Sequence, residues 1–585
     1  MATTWILGIS CFYHDAAAVL LRDGVPVGAA SEEVFSRKKH DAGFPALAIR
    51  WLLREARIDA SALSAVAFYD KPLVKFERIL LSHVATFPRS FPQFVRGIPS
   101  WFAEKLRIDK VLKRELGYTG PVIYGQHHLS HAASAFFASG MEEAAVLIVD
   151  GVGEWATTSW GIGRGNKLTL SHELRFPHSL GLLYSAFTHY LGFKVNSAEY
   201  KVMGLAPYGE PRHVDRIKQL IQIKNDGTFR LDMRCFSFDY GTHMFNARFE
   251  EVMGAPARAL ETGELTQFHK DVARSLQAVV NEVMIHLANR AMDDAGTRNL
   301  CLAGGVALNC VANGEIIRNT NVEGFFVQPA AGDAGGALGV ALWAWHQLLD
   351  KPRGWSQESP YMGPAYTEAE LTAALNRYGA VYRRLERAEL LENTAELIDR
   401  SMVVGWYQGA LEWGPRALGH RSILGDPRHP EMRDIINTKI KMREGFRPFA
   451  PSVLEEDAKR YFELDRPSPH MLLVAPVHDQ IRFGPDALPA VTHVDGSARI
   501  QTVRRAQDPL YYDLIAAFKK RTGCGVVINT SMNVRGEPIV NTPDDAYRCF
   551  MRTDMDVLVC GPFLLLKEQQ PPLRLASATD EFGLD

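Results

Sequence analysis

No CxxC pair occurs among the 7 cysteines of this 585-residue chain, which lie scattered from Cys11 to Cys560. That spacing excludes a zinc ribbon and a disulfide framework, and predicts reduced thiols in a cytoplasmic protein. An excess of one charge is missing too. A formal net charge of −2 offers no global field for nucleic acid or for an acidic membrane surface. The opening MATTWILGIS has no basic segment before an apolar core, so no signal peptide is read. Long hydrophobic runs are also lacking. The most apolar segment, 334–349, contains three glycines and His346 and is too short to span a bilayer, so it reads as a buried helix. What remains is an ordinary globular composition, 46% hydrophobic and 23% charged, in a chain long enough for two or more domains.

The first chemical signal is the pair His127-x-x-x-His131. If residues 129–137 continue as a helix, side chains four apart share a face, and two imidazoles there can reach one ion. Alone, such a pair reads more readily as capping or packed histidines. The context adds two carboxylates. An apolar run at 144–149 ends in Asp150-Gly151-Val152-Gly153, and a later strand, 325–329, runs into Gly332-Asp333-Ala334-Gly335-Gly336. Acidic residues closing buried strands beside glycines commonly face a metal or a phosphate. Asp333 can cap its own helix or complete a ligand set with His127, His131 and Asp150; with three such partners, the ligand role is the better reading.

Around these residues one pattern occurs twice. Residues 5–10 read as a strand, followed by a polar turn at Tyr13-His14-Asp15 and a hairpin of 16–21 with 25–30 around Asp23-Gly24. Residues 145–149 are again a strand, 150–154 a polar glycine-rich loop, and 155–162 with 167–174 a hairpin. A duplicated α/β unit follows, with two loops facing across a cleft, as in the actin-like and sugar-kinase-like ATPases. Between the repeats, Phe87, Phe91, Phe94, Trp101 and Phe102 read as core or interface. Lys201 and Tyr208 are open between ligand contacts and a solvated loop. Residues 264–294 predict a long amphipathic helix leading to Leu302-Ala303-Gly304-Gly305, where a strand ending in glycines lets backbone approach a base or a phosphate.

Residues 351–365, rich in Pro, Gly and Ser, predict a linker between a domain at 1–350 and another at 366–585. In the second, Arg416, Arg421, Lys441, Arg443 and Arg447 alternate with Gly, Pro and aromatic residues, a pattern that suits phosphate better than a solvated face. Arg499 near a turn, and a strand ending in Asn529-Thr530-Ser531, add polar groups to such a pocket, though either run can also be a plain turn.

Taken together these motifs resemble the O-carbamoyltransferases that decorate antibiotics, nodulation factors and related natural products. The resemblance spans nearly the whole chain. It rests on His14-Asp15-Ala16, Glu32-Glu33 with Arg37-Lys38-Lys39-His40, HHLSHAASAFF (127–137), VDGVGEW (149–155), KVMGLAPYG (201–209), LAGGVALN (302–309) and GDAGGALG (332–339). Further along it rests on GPRALGHRSIL (414–424), KMREGFRPFAPSV (441–453) and INTSMNVRGEPIV (528–540). It implies a duplicated actin-like ATPase-fold domain, related to the tRNA threonylcarbamoyl-transferring proteins, followed by a YrdC-like α/β domain. It further implies that carbamoyl phosphate and ATP form carbamoyl-adenylate in the second domain. The carbamoyl group would then move to a hydroxyl of a small-molecule acceptor at a metal, usually iron(II), in the first.

By motif, His127, His131, Asp150 and Asp333 resemble the metal ligands, for which Fe(II), Mn(II) and Zn(II) all suit the donor set. His14 resembles the base near the acceptor, with a packing role as the alternative. Gly151, Gly304, Gly305 and Asn309 are similar to nucleotide-contacting positions. Arg416, Lys441, Arg447, Arg499, Asn529 and Ser531 resemble the pocket for carbamoyl phosphate and ATP. No nucleic-acid or membrane partner is implied, and a homodimer is left open. Acceptor contacts are expected in 60–110 and 210–262. The rival readings are an actin-like small-molecule kinase and a non-catalytic nucleotide-binding regulator.

Overall fold

A computed structural model describes residues 3–441, 443 and 445–582, excepting the side chains of 98–100, 102, 103, 439, 578 and 579. The chain divides into two compact units, residues 1–32 with 40–357, and residues 33–39 with 358–585.

The first unit holds two five-stranded sheets. In one, β1 (Trp5–Ser10) pairs antiparallel with β2 (Ala17–Arg22), which pairs with β3 (Val25–Ser31); on its other side β1 runs parallel to β4 (Ala65–Phe68), and β4 to β5 (Val122–Tyr124). The β2–β3 turn places Asp23 and Gly24 at φ 50 and 83°, the paired positive angles of a tight hairpin that matches strand twist. The second sheet repeats the path. β6 (Glu143–Val149) pairs with the hairpin of β7 (Ala156–Arg164) and β8 (Lys167–Arg175). A small separate hairpin, β9 (Ile221–Ile223) with β10 (Phe229–Leu231), intervenes before β11 (Leu300–Ala303) and β12 (Phe325–Val327), which extend β6 in parallel. The orders β3-β2-β1-β4-β5 and β8-β7-β6-β11-β12 are one topology written twice. That duplication makes the first unit an actin-like ATPase fold.

The strands are buried because their sequences are nearly continuous apolar runs; residues 144–149 are all at most 1% exposed. Five helices position the site: α1 (Pro72–Ala85), α2 (His127–Phe136), α3 (Gln267–Ala295), α4 (Cys310–Asn319) and α5 (Asp333–Trp343). α2 and α5 touch backbone to backbone. A Cβ on Gly339 of α5 would lie 1.7 Å from the Ser130 carbonyl of α2, so only glycine allows the approach that brings Asp333 beside the histidines. α2 begins at His127 rather than at Leu129, because the Glu154 carboxylate accepts the His127 amide at 2.9 Å and caps the helix two residues earlier. In the aromatic stretch the core alternative fails for two residues. Phe87 and Phe91 are 67% and 55% exposed and touch edge to face at 6.2 Å, Trp101 is half-buried, and the Phe102 side chain lies outside the described residues.

The second unit is α/β on one nine-stranded mixed sheet. Its strands are β13 (Arg383–Arg384), β14 (Val404–Tyr407), β15 (Arg421–Gly425), β16 (Ala450–Leu454), β17 (Leu473–Pro476), β18 (Ser497–Val503), β19 (Val526–Ser531), β20 (Val557–Cys560) and β21 (Phe563–Leu566). They lie in the order β13-β21-β20-β14-β15-β19-β16-β18-β17. The segment 33–39 joins this unit through Arg37, whose guanidinium donates to the carbonyls of Ile539 and Pro538 and to Glu537 Oε1 at 2.8, 3.1 and 2.9 Å.

All seven cysteines are buried and unpaired. Among the described residues no helix is long and apolar enough to cross a membrane.

Candidate functional site

The first site forms where β6, α2 and α5 meet. His127 and His131 sit one turn apart on α2 and are wholly buried. Their Nε2 atoms face each other at 3.2 Å. Asp150, at the end of β6, places Oδ2 3.1 Å from His127 Nε2 and 3.8 Å from His131 Nε2. Asp333, the first residue of α5, places Oδ1 3.6 Å from both. It does not cap its helix, since its carboxylate turns to the histidines and receives the Tyr69 hydroxyl at 3.3 Å. The four donor atoms lie within 4.8 Å of one another.

This donor set suits a divalent cation. Two nitrogens and two carboxylate oxygens converge from three rigid elements, and two negative charges are collected in a buried space. Burial alone would raise both carboxyls, yet both titrate below the ordinary range: Asp150 through the His127 bond and the adjacent His131, Asp333 through the fields of His14 and His127. Both Nδ1 atoms lack a protein partner among the described residues, so Nε2 and not Nδ1 is the atom the fold has aimed.

Glu154 and Tyr69, absent from the sequence reading as site residues, hold this cluster in place. One Glu154 oxygen accepts both the Lys71 amide at the start of α1 and the His127 amide at the start of α2, each at 2.9 Å. Neither helix has a side-chain cap of its own. A single carboxylate therefore serves two helix N-termini, where backbone N–H groups and the helix dipole favour negative charge. The only sequence signal was an acidic residue inside a glycine-rich loop.

His14 stands in the loop after β1. Its Nδ1 meets Asp15 Oδ2 at 2.9 Å, and Asp15 Oδ1 meets His40 Nδ1 at 2.7 Å. This chain of three orients the imidazole and leaves Nε2 free of the pair. Burial opposes charging of His14, but the field of Asp333 and the bond to Asp15 outweigh it and raise the pKa to about 9.

The glycine-rich positions gather at the same strand ends. Gly305 donates its amide to Asp150 Oδ1 at 3.0 Å, next to Gly151. Gly304 has φ 90°, and a Cβ there would lie 2.4 Å from the Val149 carbonyl, so backbone closeness is built in. Asn309 is differently employed. Its amide exchanges two 3.1 Å hydrogen bonds with Gln277 and caps α4 through Ala312. Lys201 is buried over the Phe193 ring, 3.9 Å from Glu261, and does not sit in a solvated loop.

In the second unit Lys441 and Ser531 do come together. The buried Lys441 ammonium donates to the Ser531 carbonyl and to Asn533 Oδ1 and O, at 2.7 and 3.0 Å for the latter two, with Ser531 Oγ 3.3 Å away. Burial, with Arg443 and Arg447 within electrostatic reach, pushes its pKa well below the usual lysine range. Asn529 shares the β19 face with Ser531, two residues on. It donates to Gln501 and the Ala417 carbonyl at 2.8 and 3.2 Å, while its Oδ1 has no partner among the described residues. Arg416 lies in the loop between β14 and β15, and Arg499 on β18. Arg421 departs from the phosphate pattern. It is fully buried, stacked 3.9 Å over Tyr407, and donates to the carbonyls of Pro364, Gln408, Gly409 and His420. Its guanidinium ties down the loop that Glu412 also shapes by accepting the amides of Leu418, His420 and Arg421.

Residues 5–342 match the family model of the carbamoyltransferase N-terminus, and residues 395–567 that of the carbamoyltransferase C-terminus. An uncharacterized protein of Synechocystis sp. is 51% identical over 100% of both chains. The nodulation protein NolNO of Sinorhizobium fredii is 39% identical over 96% of this chain and 80% of its own. A 3'-hydroxymethylcephem-O-carbamoyltransferase of Streptomyces clavuligerus is 35% identical over 48% of this chain and 50% of its own. With both matches in chain order and a relative similar from end to end, the chain belongs to the carbamoyltransferase family and is an enzyme of that class.

Proposed function

We propose that this enzyme is an ATP-dependent O-carbamoyltransferase with two chemical steps. In the second unit, read as a YrdC-like domain, water hydrolyses carbamoyl phosphate to carbamate and inorganic phosphate, and the carbamate oxygen attacks the α-phosphorus of ATP. Pyrophosphate leaves and carbamoyl-adenylate remains. In the first unit the hydroxyl of a small-molecule acceptor adds to the carbamoyl carbon, AMP leaves, and the hydroxyl proton passes to His14. The observation that carries the reading is the convergence of His127, His131, Asp150 and Asp333 in a chain of this family.

The physical logic is activation. Nitrogen donation into the carbonyl makes a carbamate a poor acyl donor, and adenylation exchanges a poor leaving oxygen for a phosphate. Arg447, Arg416 and Arg499 offer cations for the phosphates, while Lys441, Ser531 and the Asn529 Oδ1 that has no partner among the described residues offer polar groups for the carbamoyl amide. Gly151, Gly304 and Gly305 present backbone to the adenylate in the first unit, while Asn309 supports them through α4. A divalent ion, Fe(II) in this reading, would be held by the four ligands and supply a Lewis acid for charge on carbonyl or phosphate oxygens. His14 is aimed by Asp15, as an imidazole base requires. Burial opposes its charging, but Asp333 and Asp15 raise its pKa, so the deprotonated ring is a strong proton acceptor.

The deciding experiment measures pyrophosphate release from ATP with and without carbamoyl phosphate in metal-replete protein. Release that depends on carbamoyl phosphate, and that fails in Ser531→Ala, is the expected result. ADP formation independent of carbamoyl phosphate would instead favour a kinase.

A further inference from the structure

A cavity of about 190 Å³ opens beside the metal cluster, and its wall includes Tyr13, Asp70, Lys75, Arg78, Trp101 and Lys105. Three cations face it against one carboxylate. That carboxylate is spoken for: Asp70 Oδ2 lies 2.8 Å from the Lys75 ammonium, and both are buried. Arg78 has no such partner. It is 8% exposed, its Nε makes no hydrogen bond among the described residues, and its guanidinium rests 5.1 Å from the Phe176 ring centroid. Glu154 and Asp70 act on Arg78 through their fields, but among the described residues neither makes an ion pair with it. Lys105 leans over Trp101 at 5.2 Å on the same cavity. Two buried or half-buried cations with no ion-pair partner among the described residues keep part of their desolvation cost, which an anion arriving with the ligand would offset.

The cavity also has the right neighbours. Tyr13 forms part of its wall and packs its ring 4.7 Å from that of His14. Tyr69, between the cavity residues Phe68 and Asp70, bonds Asp333 and lies 5.2 Å from the His127 ring. A ligand anchored here is thus one side chain away from both the proposed base and the proposed metal ligands.

We infer that this cavity binds the acceptor by an anionic group, a carboxylate or a phosphate, held by Arg78 and Lys105 between the Tyr13 and Trp101 rings. The acceptor is then an acidic hydroxy compound, and Arg78 is the residue that selects it. This rests on the O-carbamoyl-transfer reading for the meaning of the site, but its test does not use turnover.

Isothermal titration of the full chain, without ATP or carbamoyl phosphate, compares D-gluconate, D-glucose 6-phosphate and neutral D-glucitol. At least one anion should bind about tenfold or more tighter than glucitol, the order expected of a charge-assisted bond in a buried site. The stronger of the two identifies carboxylate or phosphate. Arg78→Gln should abolish the preference, and Lys105→Gln, at a partly exposed position, should weaken it; circular dichroism confirms that each variant is folded. Equal binding of the three probes, no binding of either anion, or an unchanged preference in both variants would overturn the proposal. So would displacement of the bound anion by AMP, which would give the cations to the nucleotide. Pyrophosphate release, measured separately, decides the transfer reading whichever way the titration falls.

Discussion

Replacing Glu154 tests whether one carboxylate holds the proposed metal ligands together. Its oxygens accept the Lys71 and His127 amides at 2.9 Å, with a second approach to His127 at 3.1 Å, and the residue is 8% exposed. Glu154→Gln keeps the shape but exchanges two charge-assisted bonds for neutral ones, and turns one oxygen into a donor facing N–H groups. A bond to a charged group contributes roughly 1 kcal/mol more than a neutral one, so about 2 kcal/mol is lost locally. Glu154→Ala leaves both N–H groups without an acceptor, at about 4 kcal/mol. Because His127 is the first residue of α2, the loss falls on the turn that carries the first histidine. Hydrogen exchange read by mass spectrometry should show the amides of Lys71 and His127 exchanging about 30-fold faster in the Gln variant, by the usual conversion of free energy to rate ratio. Affinity for a divalent cation, measured by titration of the metal-free protein, should fall about 10–100-fold, as for other outer supports of metal ligands. Wild-type exchange at both amides in Glu154→Ala would refute the reasoning, whatever happened to activity.

Three further outcomes are expected. Asp15→Asn should slow transfer to an identified acceptor about 10–100-fold while sparing carbamoyl phosphate-dependent pyrophosphate release, because Asp15 bonds the imidazole of His14, the proposed transfer base; equal losses in both assays would remove His14 from the transfer step. Arg421→Met should destabilise the second unit by about 3–5 kcal/mol in denaturant titrations, since four carbonyls and the Tyr407 face lose their partner; a fully stable variant defective only in pyrophosphate release would return Arg421 to the phosphate pocket. In metal-free protein His14 has a folded pKa of about 9, above its unfolded value, so its contribution is complete below about pH 6.5 and lost as pH rises through 9. Thermal stability should therefore decline over that window by up to about 3 kcal/mol, and His14→Gln should flatten the decline.

The sequence by itself determined what is local. The Asp23-Gly24 hairpin, the long apolar strands and the one-turn spacing of His127 and His131 all follow from neighbours a few residues apart. The repeated strand–loop–hairpin order disclosed the duplicated sheet, because each half is written contiguously. Asp150 and Asp333 were legible as strand-end acids beside glycines. Their meeting at one point was settled only by the tertiary structure, which needs Gly339 to bring α5 onto α2. The same holds for charge. Arg421, Arg78 and Lys441 look alike in one dimension. Burial makes the first a brace for carbonyls, leaves the Nε of the second without a hydrogen-bond partner among the described residues, and sets the third among acceptors of the second unit. Arg37 likewise stands in a basic run, Arg37-Lys38-Lys39, with nothing in sequence to name its partner, yet it anchors segment 33–39 through residues some 500 positions away. Periodicity and turn chemistry act over one or two turns of chain, whereas the partner of a buried charge is chosen by whichever distant segment the fold brings within a few ångströms.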